Sequence, residues 1–149
     1  MTALLNAPIT TAVTAQVGST FQLRETGGNA PPTIITLQGT LTYTSGGSTA
    51  DAWVQTTLDG GLTWNDLANF HFTTAAGRLV FNLNVVPVNT IIAQITSFTD
   101  GTLAANTAIA VPFFGSMFRV KYTTTGTYVG TTLRVDAICA GLTLAGPGS

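Results

Sequence analysis

The chain has 149 residues, a formal net charge of −1 and only 7% charged residues, against about 25% in an ordinary soluble domain. That length suits one domain with a core of its own. Five basic residues scattered along the chain do not form a phosphate track, so the composition excludes a nucleic-acid-binding surface. The single cysteine, Cys139, excludes an intrachain disulfide.

Threonine accounts for 29 residues and glycine for 16. Threonine and valine suit a pleated strand, and glycine supplies tight turns, so the composition predicts β structure. Soluble monomers normally keep a mixed charged surface. We therefore expect other copies of the chain to cover part of the surface; the alternative is that threonine hydroxyls alone keep it hydrated.

Residues 1–19 contain no charged side chain. They predict either an extended arm that grips a neighbouring subunit or an edge strand, and a frayed terminus is the simplest alternative. Leu4, Leu5 and Ile9 are the candidate interface residues of such an arm. With no basic residue and an early proline, the segment is not expected to be a signal peptide or a membrane span.

The clearest strand signal lies in residues 33–44, where apolar and polar residues alternate. Ile35, Leu37, Leu41 and Tyr43 fall on one face, and threonines dominate the other. This uncharged threonine face is expected to meet either solvent or another subunit.

Residues 54–72 predict a hairpin, with the turn at Asp59-Gly60-Gly61. The spacing Thr57-x-Asp59-x-Gly61-x-Thr63-Trp64 resembles the Asp-box of sialidases, with threonine in place of the usual serine. The resemblance implies that Asp59 ties down the turn backbone and that Trp64 covers it. We interpret the motif as a structural turn, because no carboxylate pair suited to glycoside hydrolysis accompanies it.

The second half of the chain predicts a strand over 78–86, ended at an edge by Pro87, and a further candidate strand over 91–98. Phe113 and Phe114 predict either core packing or an exposed interface.

Residues 118–122 and 133–139 alternate clearly and predict a second hairpin, joined by a loop over 123–130. Its polar faces carry Arg119, Lys121, Arg134 and Asp136, which are expected to pair across the strands.

No residue set predicts a catalytic, metal or cofactor site. His71 and Cys139 are each the only one of their kind, too few for a usual zinc site, and no partner that would activate them as a catalytic pair is evident. Trp53, Trp64 and Tyr43 are candidates for a sugar-binding face, although core packing is the simpler interpretation of the two tryptophans.

Seven to nine short strands with regular turn signals predict an all-β fold, a β-sandwich with a jelly roll as one arrangement, carrying an extended N-terminal arm. We expect an arm or edge strand over 1–19, a single sandwich domain over 20–140 and a loose C-terminal tail over 141–149.

Two stretches together, VQTTLDGGLTWNDLANFHFTTAAGRLVFNL and FRVKYTTTGTYVGTTLRVDA, are similar to small β-rich structural proteins of tailed bacteriophages. The resemblance covers about a third of the chain. It implies a virion protein without enzymatic activity or cofactor, present in symmetric copies and assembled in the bacterial host cytoplasm.

Within that class we expect a capsid decoration (cement) protein, a homo-oligomer with a trimer as the expected state. Its partners would be itself and the major capsid protein or other virion proteins, with no nucleic acid and no membrane. The alternatives are a neck, tail or tail-tube subunit of the phage, and a carbohydrate-binding module.

Overall fold

A computed structural model describes residues 1–25, 34–84, 100–109, 112–139 and 142–145. The regular structure in these ranges consists of β-strands that pair antiparallel, as the composition predicts. They contain no helix with the length and apolarity that a membrane crossing needs.

The strands over the described ranges are numbered in chain order. They are β1 (Thr2–Ile9), β2 (Val13–Val17), β3 (Phe21–Glu25), β4 (Ile34–Thr42), β5 (Ser45–Gly46), β6 (Thr49–Thr57), β7 (Asn65–Phe72), β8 (Gly77–Asn84), β9 (Met117–Thr125), β10 (Tyr128–Val129), β11 (Thr131–Cys139) and β12 (Leu142–Ala145).

These strands form two large sheets. The four-stranded sheet has the order β1-β11-β4-β8, and the six-stranded sheet has the order β12-β3-β9-β6-β7. Strand β2 also pairs with β9, next to β3 and further along the same edge. The short strands β5 and β10 pair with each other, and β10 lies inside the segment 123–130 that was predicted to be a loop.

The strand order is that of a jelly roll. With β2 and β3 counted as one strand, and β5, β10 and β12 set aside, eight main strands remain. Numbered along the chain, they lie in the orders 1-8-3-6 and 2-7-4-5, which is a double-sheet jelly roll. The predicted all-β sandwich is therefore confirmed, and β6–β7 is the single place where consecutive main strands of this set stay in one sheet.

The core lies between the two sheets. The predicted inward face of β4 is confirmed, because Ile35, Leu37 and Leu41 are buried. Gly39 continues that face, and a Cβ there would lie 2.5 Å from Cγ of Phe70 in the opposite sheet. The missing side chain thus makes room for the Phe70 ring.

The N-terminal residues are part of the sandwich. Strand β1 is an edge strand paired with β11, and its inward side chains Leu4, Leu5 and Ile9 are buried. Of the two expectations for residues 1–19, the edge strand describes this segment, and no extended arm is seen. Pro8 and an irregular register after Ala3 fit an edge that does not accept a further strand.

The predicted C-terminal hairpin is wrong. Strand β9 belongs to the six-stranded sheet and β11 to the four-stranded sheet. Gly126 and Gly130 have φ of +81° and +58°, so the chain turns at both and crosses to the other sheet instead of folding back. Arg134 consequently binds Asp136 of its own strand rather than a residue of β9.

The predicted tail begins with ordered structure, because β12 pairs with β3 from Leu142 to Ala145. Strand β8 begins at Gly77 and is described to Asn84. The predicted strand over 91–98 and the predicted edge at Pro87 lie outside the described residues.

Candidate functional site

The turn between β6 and β7, residues 58–64, is here called the tip loop. Asp59 accepts hydrogen bonds from Thr57 Oγ1 (2.8 Å), Thr63 N (2.9 Å) and Thr63 Oγ1 (2.6 Å). The Thr57 hydroxyl oxygen in turn accepts a bond from Gly61 N at 2.9 Å. Side chains therefore satisfy the turn backbone, as the Asp-box resemblance implies.

These donors act on the acidity of Asp59. The hydroxyl and N–H of Thr63, followed by the hydroxyl of Thr57, hold the pKa of Asp59 at about 2, below its ordinary value of 3.8. The charged carboxylate is thus a structural part of the turn.

Two glycines shape the tip loop. Gly60 and Gly61 have φ of +71° and +101°, a region that side chains disfavour. Trp64 Nε1 donates to the Gly61 carbonyl oxygen at 3.1 Å, so the indole covers the turn. The three predicted turn residues Asp59, Gly61 and Trp64 therefore meet in one closed loop.

The two leucines of the tip loop are exposed and take no part in this network. Leu58 is 67% exposed and Leu62 is 86% exposed. No predicted interface included them, although a tight turn flanked by two leucines was visible in the sequence.

A second polar cluster braces the tip loop from the neighbouring strand. The Arg119 guanidinium lies 4.2 Å from the centre of the Trp64 ring. Arg119 also donates to Gln55 Oε1 (2.8 Å) and to Asp100 Oδ1 (3.0 Å). Lys121 Nζ donates to the same Asp100 oxygen at 3.1 Å. Arg119 and Lys121, the two cations of β9, are therefore both hydrogen-bonded to residues of the same chain.

Residues 100–109, here called the strap, are held by a buried carboxylate. Asp66 accepts hydrogen bonds from the backbone N–H groups of Gly101, Thr102 and Leu103 at 2.8–3.0 Å. Gln55 Nε2 donates to Asp66 Oδ1 at 2.7 Å. The sequence alone does not reveal this role of Asp66, because three of its four donors lie 35–37 residues further along the chain.

The strap covers the outer edge of β7. Asn69 N donates to the Thr107 carbonyl and Ile109 N donates to the Leu67 carbonyl. A sheet edge that already has hydrogen-bond partners does not attract a foreign strand.

His71 and Cys139 do not form a pair. His71 Nδ1 lies 2.8 Å from Asp51 Oδ1 within the six-stranded sheet. Cys139 lies in β11 of the other sheet, where burial raises the pKa of its thiol to about 11. A thiol with that pKa is a poor nucleophile at neutral pH. Among the described residues, no group of three or more His, Cys, Asp or Glu side chains is placed to hold a metal ion.

The aromatic candidates for a sugar-binding face are tied to the backbone. Trp53 Nε1 donates to the Leu103 carbonyl at 3.0 Å, beneath the strap. The indole N–H of Trp64 is bound within the tip loop, and the Tyr43 hydroxyl donates to the Gly46 carbonyl.

The remaining candidate interface residues pack inward. Phe113 and Phe114 are half-buried against the core, and the Phe114 ring lies 6.2 Å from that of Phe118. Together with the buried Leu4, Leu5 and Ile9, all five predicted interface side chains contribute to the chain's own packing.

The outer face of the four-stranded sheet is a polar, partly exposed surface in the described part of the chain. It carries Ile34, Thr36, Gln38, Thr40, Thr42, Arg78, Val80, Asn82, Asn84, Thr132, Arg134, Asp136 and Ile138. Its aliphatic members Ile34, Val80 and Ile138 are 40–53% exposed. Arg134 binds both oxygens of Asp136, so this pair adds no net charge to the face.

The chain matches no family model, no curated protein and no solved structure.

Proposed function

We propose that this chain is a non-enzymatic structural protein of a bacteriophage virion, a capsid decoration protein that stabilises the phage head through symmetric contacts. The observation that carries the proposal is the outer face of the four-stranded sheet. It presents threonine, asparagine and glutamine around Ile34, Val80 and Ile138, with a net charge of only +1 from Arg78. Such a face can pack on another subunit without desolvating many charges.

Internal pairing of the charged groups supports the same proposal. Each aspartate whose side chain the structure describes accepts hydrogen bonds inside the chain: Asp51, Asp59, Asp66, Asp100 and Asp136. The surface is left with few free charges, which favours association over a dispersed monomer.

The fold adds an argument by analogy only. Double-sheet jelly rolls occur in viral capsid domains, and also in lectins and cupins. Because a fold does not specify a function, the choice among these depends on the site. Trp53 is half-buried and bound to the strap, and the Arg119 guanidinium lies over the Trp64 ring, which weighs against a carbohydrate-binding module.

Light scattering of the purified chain over a concentration series tests the assembly. We expect a stable trimer from the decoration role, whereas a hexamer or larger ring would favour a neck or tail subunit. A chain that stays monomeric at every concentration, and that also fails to bind heads lacking it, contradicts the proposal.

A pair of charge variants tests the sheet face. Val80→Lys places a charge within the outer face, midway along its edge strand β8, and should lower the associated fraction, because a buried unpaired charge is costly. Gln16→Lys adds the same charge to the exposed part of β2 in the other sheet and should leave association unchanged. Equal association in both variants would exclude this face as the contact.

A further inference from the structure

We propose that the tip loop is a docking anchor, whose two leucines insert into an apolar, uncharged pocket on the protein shell that this chain decorates. The inference rests on the proposed function for the identity of the partner. This contact with the shell is separate from the contact between copies of the chain. The tip loop joins two strands of the six-stranded sheet, whereas the copies meet through the outer face of the four-stranded sheet.

The first observation is exposure. Leu62, at 86%, has the highest exposed fraction among the large apolar side chains that the structure describes, and Leu58, at 67%, is also largely in water. Gly60 lies between them at the apex, where an added Cβ would meet no atom within 4 Å. The two leucines of the tip loop therefore project into solvent with little packing on the chain's own surface.

The second observation is rigidity. The bonds of Asp59 to Thr57 and Thr63 fix the turn, and Trp64 closes it through Gly61. Arg119 holds the Trp64 ring from the adjacent strand. A projection fixed before binding loses little conformational freedom when it docks, which raises affinity for a pocket of matching shape.

Charge defines the chemistry of the partner. Asp59 directs its carboxylate into the turn, and Arg119 is bound to Asp100, so the projecting residues carry no free cation. A free cation would be needed to attract nucleic acid or anionic lipid. Two aliphatic side chains also provide less apolar area than an interfacial helix, so a concave apolar pocket on a protein fits better than a membrane.

The test uses heads of the phage that encodes this chain, prepared without it, and measures co-sedimentation of added protein. Leu58→Ser/Leu62→Ser removes both anchors. The control is Val129→Ser, which changes an aliphatic side chain of 59% exposure in β10, at the opposite end of the sandwich. Unfolding midpoints and light-scattering masses are compared for all three proteins.

We expect the tip-loop variant to keep the wild-type mass and unfolding midpoint but to bind heads at least about tenfold more weakly, the effect of losing one or two buried leucines. The Val129→Ser control should bind as the wild type does. Equal binding of the tip-loop variant and the wild type overturns the anchor while leaving the decoration role intact.

Two further outcomes would also contradict the proposal. If the wild type itself does not bind the heads, the decoration role fails, and the anchor fails with it. If the wild type instead floats with phosphatidylcholine vesicles and the tip-loop variant does not, the tip loop inserts into lipid and the protein-pocket assignment is wrong.

Discussion

Asp59 links the stability of the tip loop to pH. Its pKa is about 2 in the folded chain and 3.8 ordinarily, so the unfolded state binds more protons between these values. The stabilisation is present above the ordinary pKa and is lost as pH falls toward 2. We expect the thermal midpoint of the wild type to fall across this range, and Asp59→Asn to flatten that part of the dependence.

Thr63→Val provides the matched control for the pH effect. It keeps the Asp59 carboxylate but removes the hydroxyl donor, which is the largest cause of the lowered pKa. An NMR titration of Asp59 in this variant should give a pKa closer to 3.8. An unchanged pKa would show that the Thr63 hydroxyl does not set the acidity of Asp59.

Asp66 holds the strap through one buried carboxylate. Asp66→Asn has nearly the same shape but turns an amide nitrogen toward backbone N–H donors. We expect the free energy of unfolding to fall by about 1–3 kcal/mol, the cost of leaving buried donors unsatisfied. Urea denaturation measures it, and Asp100→Asn, whose side chain is half exposed, should cost less. A larger loss in Asp100→Asn would contradict this ranking.

At the scale of elements, Gly39 lets the Phe70 ring of one sheet pack closely against β4 of the other. Gly39→Ala places a Cβ 2.5 Å from the Phe70 ring, so the ring or β4 must shift, at about 1–3 kcal/mol. Gly77→Ala is the control, because its Cβ would lie 3.5 Å from Phe72, an ordinary contact. Chemical denaturation should distinguish the two variants, and equal stability would show that the sheets pack loosely at Gly39.

Strand β1 supports the core rather than a neighbouring subunit. Leu4→Ala should lower the free energy of unfolding by about 2–5 kcal/mol, since it leaves a cavity beneath the four-stranded sheet. Asn6→Ala, on the exposed face of the same strand, should change it by no more than about 0.5 kcal/mol. If Leu4→Ala instead weakens association and leaves stability unchanged, β1 acts as an arm.

For the whole molecule, the low charge predicts association that is insensitive to salt. Contacts between uncharged faces are not screened, whereas ion pairs between copies would weaken as ionic strength rises. We expect the same mass distribution by light scattering between about 0.05 and about 0.5 M salt. Dissociation at the higher concentration would show that ion pairs hold the copies together.

Local patterns predicted much of this fold. Alternation placed Ile35, Leu37 and Leu41 in the core, and the Asp59 spacing predicted the turn, because both depend on neighbours in sequence. The assignment of β9 and β11 to different sheets was missed. The same strand-forming and turn-forming residues can connect two strands of one sheet or two strands of opposite sheets. The Asp66 cluster was missed for a related reason: its donors at 101–103 are far along the chain.

The pairing of β1 with β11 has a consequence for folding during synthesis. Thr2 lies opposite Ala137, so β1 cannot pair until β11, more than a hundred residues further along the chain, has been synthesised. Folds dominated by such distant pairings form slowly, because closing a long loop costs conformational entropy before the stabilising contacts can form. We expect nascent chains that end before β11 to remain protease-sensitive, and compact structure to form only after the ribosome has released most of the chain. We therefore expect the unpaired edge of β11's partners to be open to aggregation until β11 emerges, so that a high rate of synthesis favours misassembly.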